Sequence, residues 1–251
     1  MSPLDLHAVR VVLLDIEGTT TPIEFVHRTL FGYAREHLHP FLEAHRTDPE
    51  VRDCVNALKA QHDLDHRETR TPPAWLGANS DSDVESAARY GLWLIDRDSK
   101  AAPLKTLQGL IWREGYRSGK LKGQVYPDVP PAFERWRHQR KEIAMYSSGS
   151  ELAQRLLFAT TEFGDLTKYI SSFFDTRVGA KASPDSYCRI ASLIGRAEER
   201  IFFLSDAIAE VSAARSSGLQ AALVLREPAG SSAAAPPKEE PIIRSFEEAD
   251  K

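Results

Sequence analysis

Apolar and polar positions follow two different rhythms along this chain. Residues 9 to 21 open as a nearly unbroken β-branched and aliphatic run, Val9 to Leu14 with only Arg10 polar, and then break into Asp15-Ile16-Glu17-Gly18-Thr19-Thr20-Thr21. Such a run predicts a strand buried on both faces that ends in a polar loop. Residues 22 to 118 change texture. Ile23, Val26, Leu30, Phe31, Ala34 and Leu38 recur at helical spacing up to Pro40, and Val51, Cys54, Val55 and Leu58 repeat it after Pro49. Ala87, Ala88, Leu92, Leu94 and Ile95 form a third set, and Leu104, Leu107, Leu110, Ile111 and Trp112 a fourth. The spacing predicts a block of helices with no strand, interrupted by loops at Thr71-Pro72-Pro73 and at the polar cluster from Asn79 to Asp83.

From Gln124 onward strand and helix patterns take turns. Residues 125 to 129 lead into a helix over 130–139, a short strand covers 142–146, and a helix follows over 151–160. Phe173-Phe174-Asp175 reads as a strand, 184–194 as a helix, 201–204 as a strand, 207–217 as a helix closed by Gly218, and 221–225 as a further strand. Residues 227 to 238 have loop composition, 242–246 read as a last edge strand, and 247–251 as a loosely held end. Alternation of this kind predicts an α/β fold with a doubly wound parallel sheet. The first strand belongs with the later ones. Residues 1–21 and 119–251 then make a Rossmann-like core, and 22–118 an inserted α-helical cap over one end of the sheet.

Composition narrows the class. The 251 residues suit one large α/β domain, or a core carrying a smaller insertion. Apolar residues at 42%, charged residues at 27% and a net charge of -4 without a long basic run argue against a nucleic-acid partner. The amino terminus lacks the pattern of a signal peptide, and no run reaches the ~18 apolar residues of a membrane span, so the expected compartment is the cytoplasm. The two cysteines, Cys54 and Cys188, have no CxxC partner and read as reduced, buried small hydrophobes. The lack of an internal repeat excludes solenoids and propellers, and without a heptad seam or an obvious sticky edge a monomer is expected. Gly115 to Lys120 superficially resembles a phosphate loop, but it has three residues between its glycines where that motif has four, and it follows a helix.

Chemistry gathers where the predicted strands end. The first ends at Asp15 and Glu17, the second at Ser147-Ser148-Gly149-Ser150, and a later one at Ser205-Asp206 with Glu210 a turn further on; Lys181 opens the helix near Pro184. In an open parallel sheet these carboxyl ends share one rim, where ligands bind. Asp15 is a candidate nucleophile or metal ligand, and Glu17 a candidate acid, base or second ligand. Taken singly, each has an ordinary reading: Ser147 to Ser150 as a helix N-cap, Asp206 as another, Glu210 as a solvated helix residue, Lys181 as a surface lysine. Together they fit phosphoryl transfer. Carboxylates hold magnesium, hydroxyls and backbone N–H groups hold phosphate oxygens, and lysine offsets developing charge.

In this order the motifs resemble those of the haloacid dehalogenase superfamily: Asp15-Ile16-Glu17-Gly18-Thr19 the first, Ser147 the second, Lys181 the third, Ser205-Asp206 with Glu210 the fourth. More narrowly, residues 14 to 26 together with Tyr146-Ser147-Ser148-Gly149-Ser150 are similar to the enolase-phosphatases of methionine salvage. Glutamate rather than aspartate at position 17 fits that narrower family, as does the Ser186-Tyr187 pair after Lys181. The resemblance implies hydrolysis of 2,3-diketo-5-methylthiopentyl-1-phosphate, via its enol phosphate, to an acireductone, with one Mg2+ per subunit. It assigns the metal to Asp15, Glu17 through its backbone carbonyl, and Asp206. Ser147, Ser148 and Lys181 would hold phosphate, with Asp15, Glu17 and Lys181 catalytic.

Three other readings compete: a capped phosphatase for a different small ester, a binding protein without activity, and a hydrolytic dehalogenase. The last needs neither a second acid nor a metal, so Glu17 and Asp206 weigh against it. In the insertion, His62-Asp63-Leu64-Asp65-His66 has metal-ligand spacing but no evident third ligand, and reads as solvated helix faces. Trp75, Trp93, Trp112 and Tyr116 read as core rather than as a ligand pocket.

Overall fold

β1 (Val11–Leu14) is fully buried along its length because it is hydrogen-bonded on both edges and covered on both faces, the environment that demands an unbroken apolar run. The computed structural model describes residues 7–76, 80–226 and 241–250. The chain forms two compact units, one of residues Met1–Phe25 with Lys122–Lys251, the other of Val26–Leu121. In chain order the helices of the second unit are α1 (Phe31–Ala44), α2 (Pro49–Arg67), α3 (Ser80–Ile95) and α4 (Ala102–Arg117). The first unit continues with α5 (Val129–His138), β2 (Glu142–Tyr146), α6 (Glu151–Ala159), β3 (Ser172–Phe174), α7 (Pro184–Ile194), β4 (Ile201–Ser205), α8 (Ile208–Ser216), β5 (Gln220–Val224) and β6 (Ile242–Ile243).

The six strands form one wholly parallel sheet in the order β3-β2-β1-β4-β5-β6. The chain winds outward from β1 in one direction through β2 and β3, then returns to β1's other edge with β4. That reversal is a topological switch point, and the carboxyl ends of β1 and β4 flank it. Strand alternation splits the core. Val11 and Leu13 of β1, with Phe203 of β4, pack with Tyr187 and Ile190 of α7 and Val211 of α8. Elsewhere in the unit, Phe133 and Trp136 of α5 and Phe158 of α6 form an aromatic group.

Some sequence expectations change here. β6 is two residues long rather than five, and Ala249 is buried, so the terminal stretch up to that point is packed rather than loose. Residues 227 to 238 lie outside the described residues. Cys54 is buried, with its thiol 3.4 Å from the Pro103 carbonyl, but Cys188 is exposed on α7.

In the helical unit, Leu38, Leu42, Leu58, Ala87, Tyr90, Leu107 and Ile111 form one core, with Trp75 and Trp93 packed against it. Trp112 and Tyr116 are also buried. The unit's limits differ slightly from residues 22 to 118: Pro22 to Phe25 group with the sheet, while Leu121 bonds back to the Gly115 carbonyl. Helix α3 begins at Ser80, so the polar cluster up to Asp83 is helical rather than loop; Asn79 lies outside the described residues. Asp83 accepts bonds from Trp75 Nε1 at 2.7 Å and Lys59 at 3.0 Å, which ties that first turn down. His62 is not on a solvated face. Its Nε2 bonds the Pro73 carbonyl at 2.9 Å, its ring meets Trp75 and Tyr90 edge-on, and buried Asp65 accepts the Tyr90 hydroxyl at 2.7 Å. Among the described residues no three His, Cys, Asp or Glu side chains group as a metal site, and no helix is long and apolar enough to cross a membrane.

Helix α1 does not stop at Pro40 but runs through it to Ala44. Proline there cannot donate to the Glu36 carbonyl, a defect worth ~3 kcal/mol in a helix interior. Burial of Leu38, Phe41 and Leu42 on either side holds the helix together regardless. Pro40 is exposed, so Pro40→Ala removes the defect without disturbing the core. After allowing for the looser unfolded chain, the substitution should stabilise the protein by about 1–2 kcal/mol. Urea unfolding followed by circular dichroism measures it, and an unchanged or lower midpoint would show that this helix tolerates the proline at no cost.

Candidate active site

The loop after β1 is built to turn inside the protein. Thr19, Thr20 and Thr21 all direct their amides at the Ile16 carbonyl, and all three are buried. Gly18 makes the turn possible. Its φ is +70°, and a Cβ on it would lie 2.0 Å from Asp206 Oδ2, so a side chain is excluded by both backbone conformation and space. The same close approach brings the ends of β1 and β4 together. Thr19 Oγ1 accepts the Asp206 backbone amide at 3.0 Å and donates to Asp15 Oδ2 at 3.5 Å, so one hydroxyl links the Asp206 backbone to the Asp15 carboxylate.

Lys181 reaches this point from the loop before α7. Its ammonium is paired with Asp15 and, at 2.6 Å, with Glu210, which also accepts the Ser205 hydroxyl at 2.8 Å. The side chains of Asp15, Lys181 and Glu210 are 5, 11 and 16% exposed, so these charges interact with little solvent screening. The Lys181 backbone is fixed by three hydroxyls. Tyr146 donates to the Gly179 carbonyl at 3.0 Å, Ser186 to that of Ala180 at 2.8 Å and Tyr187 to that of Lys181 itself at 2.7 Å. This is the work of the Ser186-Tyr187 pair.

Charge is unbalanced in the cluster. Asp15, Asp206 and Glu210 with Lys181 carry a net formal charge of -2 when all are ionised. Burial, and then the charge of Asp15, push the Asp206 carboxyl up to about 7. Burial and Asp15 also raise Glu210, against Lys181 and Ser205. Burial alone would lower Lys181, but Asp15 and Glu210 outweigh it and hold the ammonium above its ordinary value. Such a site fits a divalent cation. Magnesium is commonly held by one or two carboxylates, with waters and phosphate oxygens completing its shell, so Asp15 and Asp206 suffice as charged ligands.

The structure therefore brings together Asp15, Lys181 and Asp206. It adds Glu210, which is not the solvated helix residue its sequence setting implied. Glu17, next to Gly18, is partly buried, and its charge is the weakest of the influences acting on Asp206. Ser147 follows the last residue of β2, is buried, and accepts the Gly149 amide at 3.1 Å; Ser148 is exposed. Ser150 is the N-cap of α6, accepting from the Ala153 amide. Asp206 is not the N-cap of α8; that position is Ala207, whose amide donates to the Ser205 hydroxyl at 3.1 Å. Gln154, which the sequence did not single out, donates to the Gly149 and Phe174 carbonyls at 2.9 and 2.8 Å and so fixes the serine loop to the end of β3. A polar residue on the buried face of α6 was the available signal.

A carboxylate beyond the central strand, a buried lysine paired with it and a second strand-end acid across a glycine turn define a class of parallel-sheet hydrolases. The model of the haloacid dehalogenase-like hydrolases matches residues 9–218. The chain is 44% identical over 219 residues to enolase-phosphatase E1 of Synechococcus elongatus, covering 87% of this chain and 90% of that one. It is 45% identical over 219 residues to enolase-phosphatase E1 of Drosophila yakuba, covering 86% and 83% respectively. Among solved structures, the UTR4 protein of Saccharomyces cerevisiae superposes with a TM-score of 0.75 at 31% identity, over 95% of this chain and 99% of that one. The chain belongs to the haloacid dehalogenase-like hydrolases and, within them, to the enolase-phosphatase E1 family.

The raised Asp206 carboxyl has a consequence for stability. A carboxyl whose pKa is higher folded than unfolded favours the native state below its unfolded value, near 3.8, and loses that advantage as pH rises through about 7. In metal-free protein, Asp206→Asn should therefore raise the melting temperature at pH 8 by several degrees, on the order of 2–4 kcal/mol, and change it little at pH 4, close to the unfolded value. Calorimetry in chelator at both pH values tests this, and equal effects at the two would remove the charge explanation.

Proposed function

We propose that this chain is a Mg2+-dependent enolase-phosphatase that converts 2,3-diketo-5-methylthiopentyl-1-phosphate to the acireductone 1,2-dihydroxy-3-keto-5-methylthiopentene and phosphate. The observation that carries the reading is Asp15, buried beyond β1 and paired with Lys181, with Asp206 on the far side of the Thr19 hydroxyl. The family supplies the substrate; the site supplies the chemistry.

In this mechanism Asp15 attacks phosphorus as the bond to the ester oxygen breaks, giving an aspartyl-phosphate. Lys181 pairs with the Asp15 carboxylate and offsets charge on the transferring group, while Ser147 and Ser148 hold phosphate oxygens. Water then attacks phosphorus and restores Asp15. Its proton passes to Glu17 and balances the one required by the departing oxygen. Bound Mg2+ would supply charge neutralisation for the phosphoryl group, held by Asp15, Asp206 and the Glu17 carbonyl. Before cleavage, enolisation moves a proton from C1 to the C2 oxygen. Glu17 is assigned that transfer, so that one carboxylate serves twice. The helical insertion is read as the part that selects the substrate, and the enzyme as a cytoplasmic monomer with one metal per chain.

Purified protein given the diketo phosphate and Mg2+ should release phosphate and develop the acireductone chromophore together. Phosphate release from sugar phosphates or phosphoglycolate, with none from the diketone, would instead indicate a capped phosphatase of other specificity. Asp15→Asn should lower phosphate release by several orders of magnitude. Turnover near that of the unsubstituted enzyme would take the nucleophile's role away from Asp15.

Glu17→Gln should block proton exchange as well as hydrolysis. Exchange of the C1 hydrogens of a non-hydrolysable phosphonate analogue into deuterium oxide, followed by NMR, isolates the first role. If exchange continues at the original rate, the base is another residue.

A further inference from the structure

Beyond the acids and lysine lies a second buried ion pair to which the mechanism assigns nothing. Arg226, two residues past β5, has a side chain only 6% exposed and pairs with Asp128, just ahead of α5. The guanidinium lies between two rings, 4.5 Å from the centre of Tyr126 and 4.4 Å from that of Phe246. Asp128 also accepts the Phe246 amide at 2.7 Å and the Ser245 hydroxyl at 3.1 Å, so it ties the end of the chain to the same point. A buried, aromatic-stacked arginine is an expensive way to join segments, because desolvating two charges offsets most of their attraction.

What the arginine does with its Nε donor explains its presence. Arg226 Nε donates to the Thr19 carbonyl at 2.9 Å, and the Tyr126 amide donates to the Thr20 carbonyl at 3.0 Å. The loop that carries the reacting carboxylate is thus clamped through two successive carbonyls. On the other side of the same residue, the Thr19 hydroxyl accepts the Asp206 amide and faces Asp15. The clamped carbonyl anchors the backbone from which that hydroxyl projects, and the Asp206 amide and Asp15 carboxylate then set its direction.

We propose that Arg226, held flat by Asp128, Tyr126 and Phe246, is a positioning residue for the reaction: by fixing the Thr19 carbonyl it sets the spacing of Asp15 and Asp206. It touches no reacting atom. Only a planar fork can serve Asp128 and the Thr19 carbonyl at once in this slot; an ammonium on a flexible stem cannot match both directions. Arg226→Lys therefore keeps the charge that Asp128 needs but loosens the loop, whereas Arg226→Met removes both. Misplacement of about 1 Å at a reacting group costs on the order of 100-fold in rate.

The inference rests on the proposed role of Asp15, and the test separates the two. Unsubstituted enzyme, Asp15→Asn, Arg226→Lys and Arg226→Met are compared on the diketo phosphate with saturating Mg2+, with the folded fraction of each measured by near-ultraviolet circular dichroism. The expected result is a fall in kcat per folded molecule of about 10–100-fold for Arg226→Lys, with KM changed less than about threefold, and a larger fall for Arg226→Met. Should the methionine variant fail to fold, the charge-conserving lysine variant decides. A lysine variant with a lowered melting temperature but kcat per folded molecule within about twofold of the original has lost structure alone, and overturns the positioning role. Asp15→Asn as active as the unsubstituted enzyme overturns the reading of Asp15, and this proposal with it. An active enzyme, an inactive Asp15→Asn and an unimpaired Arg226→Lys overturn the proposal alone.

Discussion

Three carboxylates gathered about one ammonium, Asp15 buried and Asp206 and Glu210 partly so, are the arrangement on which the rim of the sheet unit depends. Asp15 and Glu210 both lean on Lys181, and Asp206 stands close by with no cation of its own among its influences except that lysine. Like charges at such spacing repel by several kcal/mol in a poorly screened site, so the side chains would move apart unless their backbones were held. Holding them is what the surrounding polar groups do. Hydroxyls of Tyr146, Ser186 and Tyr187 fix the lysine loop, Ser205 fixes Glu210, and Thr19 spans the two aspartates. Rigid charge of this kind is how an enzyme stabilises a transition state without reorganising at the moment of reaction.

The sheet determines which segments can take part. Because β1 lies at the centre, its carboxyl end is flanked by β2 on one edge and β4 on the other. The register, with Leu14 opposite Met145 and Leu204, sets the first residue past β1 level with the last residues of β2 and β4, one step short of those that follow them. Asp15, Ser147 and Asp206 occupy these steps after β1, β2 and β4. Gly18 then converts proximity into near contact, since the missing Cβ is the space that the Asp206 carboxylate fills.

Much of this was legible in the sequence because it depends on local pattern. An apolar run ending in Asp15 marks a buried strand and its loop, and the strand–helix alternation after Gln124 marks a parallel sheet. Lys181 and Asp206 could be singled out by where they fall relative to those runs. Glu210 could not be assigned its burial, because one turn into a helix an acid faces solvent unless another chain segment supplies a cation, and that cation is 29 positions earlier in the sequence. Arg226 and Asp128 were illegible for the same reason: their pairing spans nearly a hundred residues, and neither sits in a recognisable motif. His62 and Asp65 misled in the opposite direction. Polar residues three apart in a charged helical stretch usually face water, but here Tyr90 and the Pro73 carbonyl satisfy them inside the core. Pro40 was misleading because tertiary burial on both sides of it overrides its tendency to end a helix.

Stability and function pull against each other at the rim. A core optimised for stability would not hold Asp206 where burial and Asp15 push its carboxyl up to about 7, nor add an arginine that must be desolvated to reach a carbonyl. Both features cost folding energy in the free protein, and both have the same effect on the site, which is to hold negative charge close together at a fixed spacing. A divalent cation held by Asp15 and Asp206 would recover the electrostatic part of that cost, which would then appear as affinity for the ion. The wholly apolar β1, bonded on both edges, and the aromatic core around Trp136 are where the compensating stability resides. The strained polar rim and the apolar sheet beneath it are therefore one design, in which the surplus of the second permits the deficit of the first.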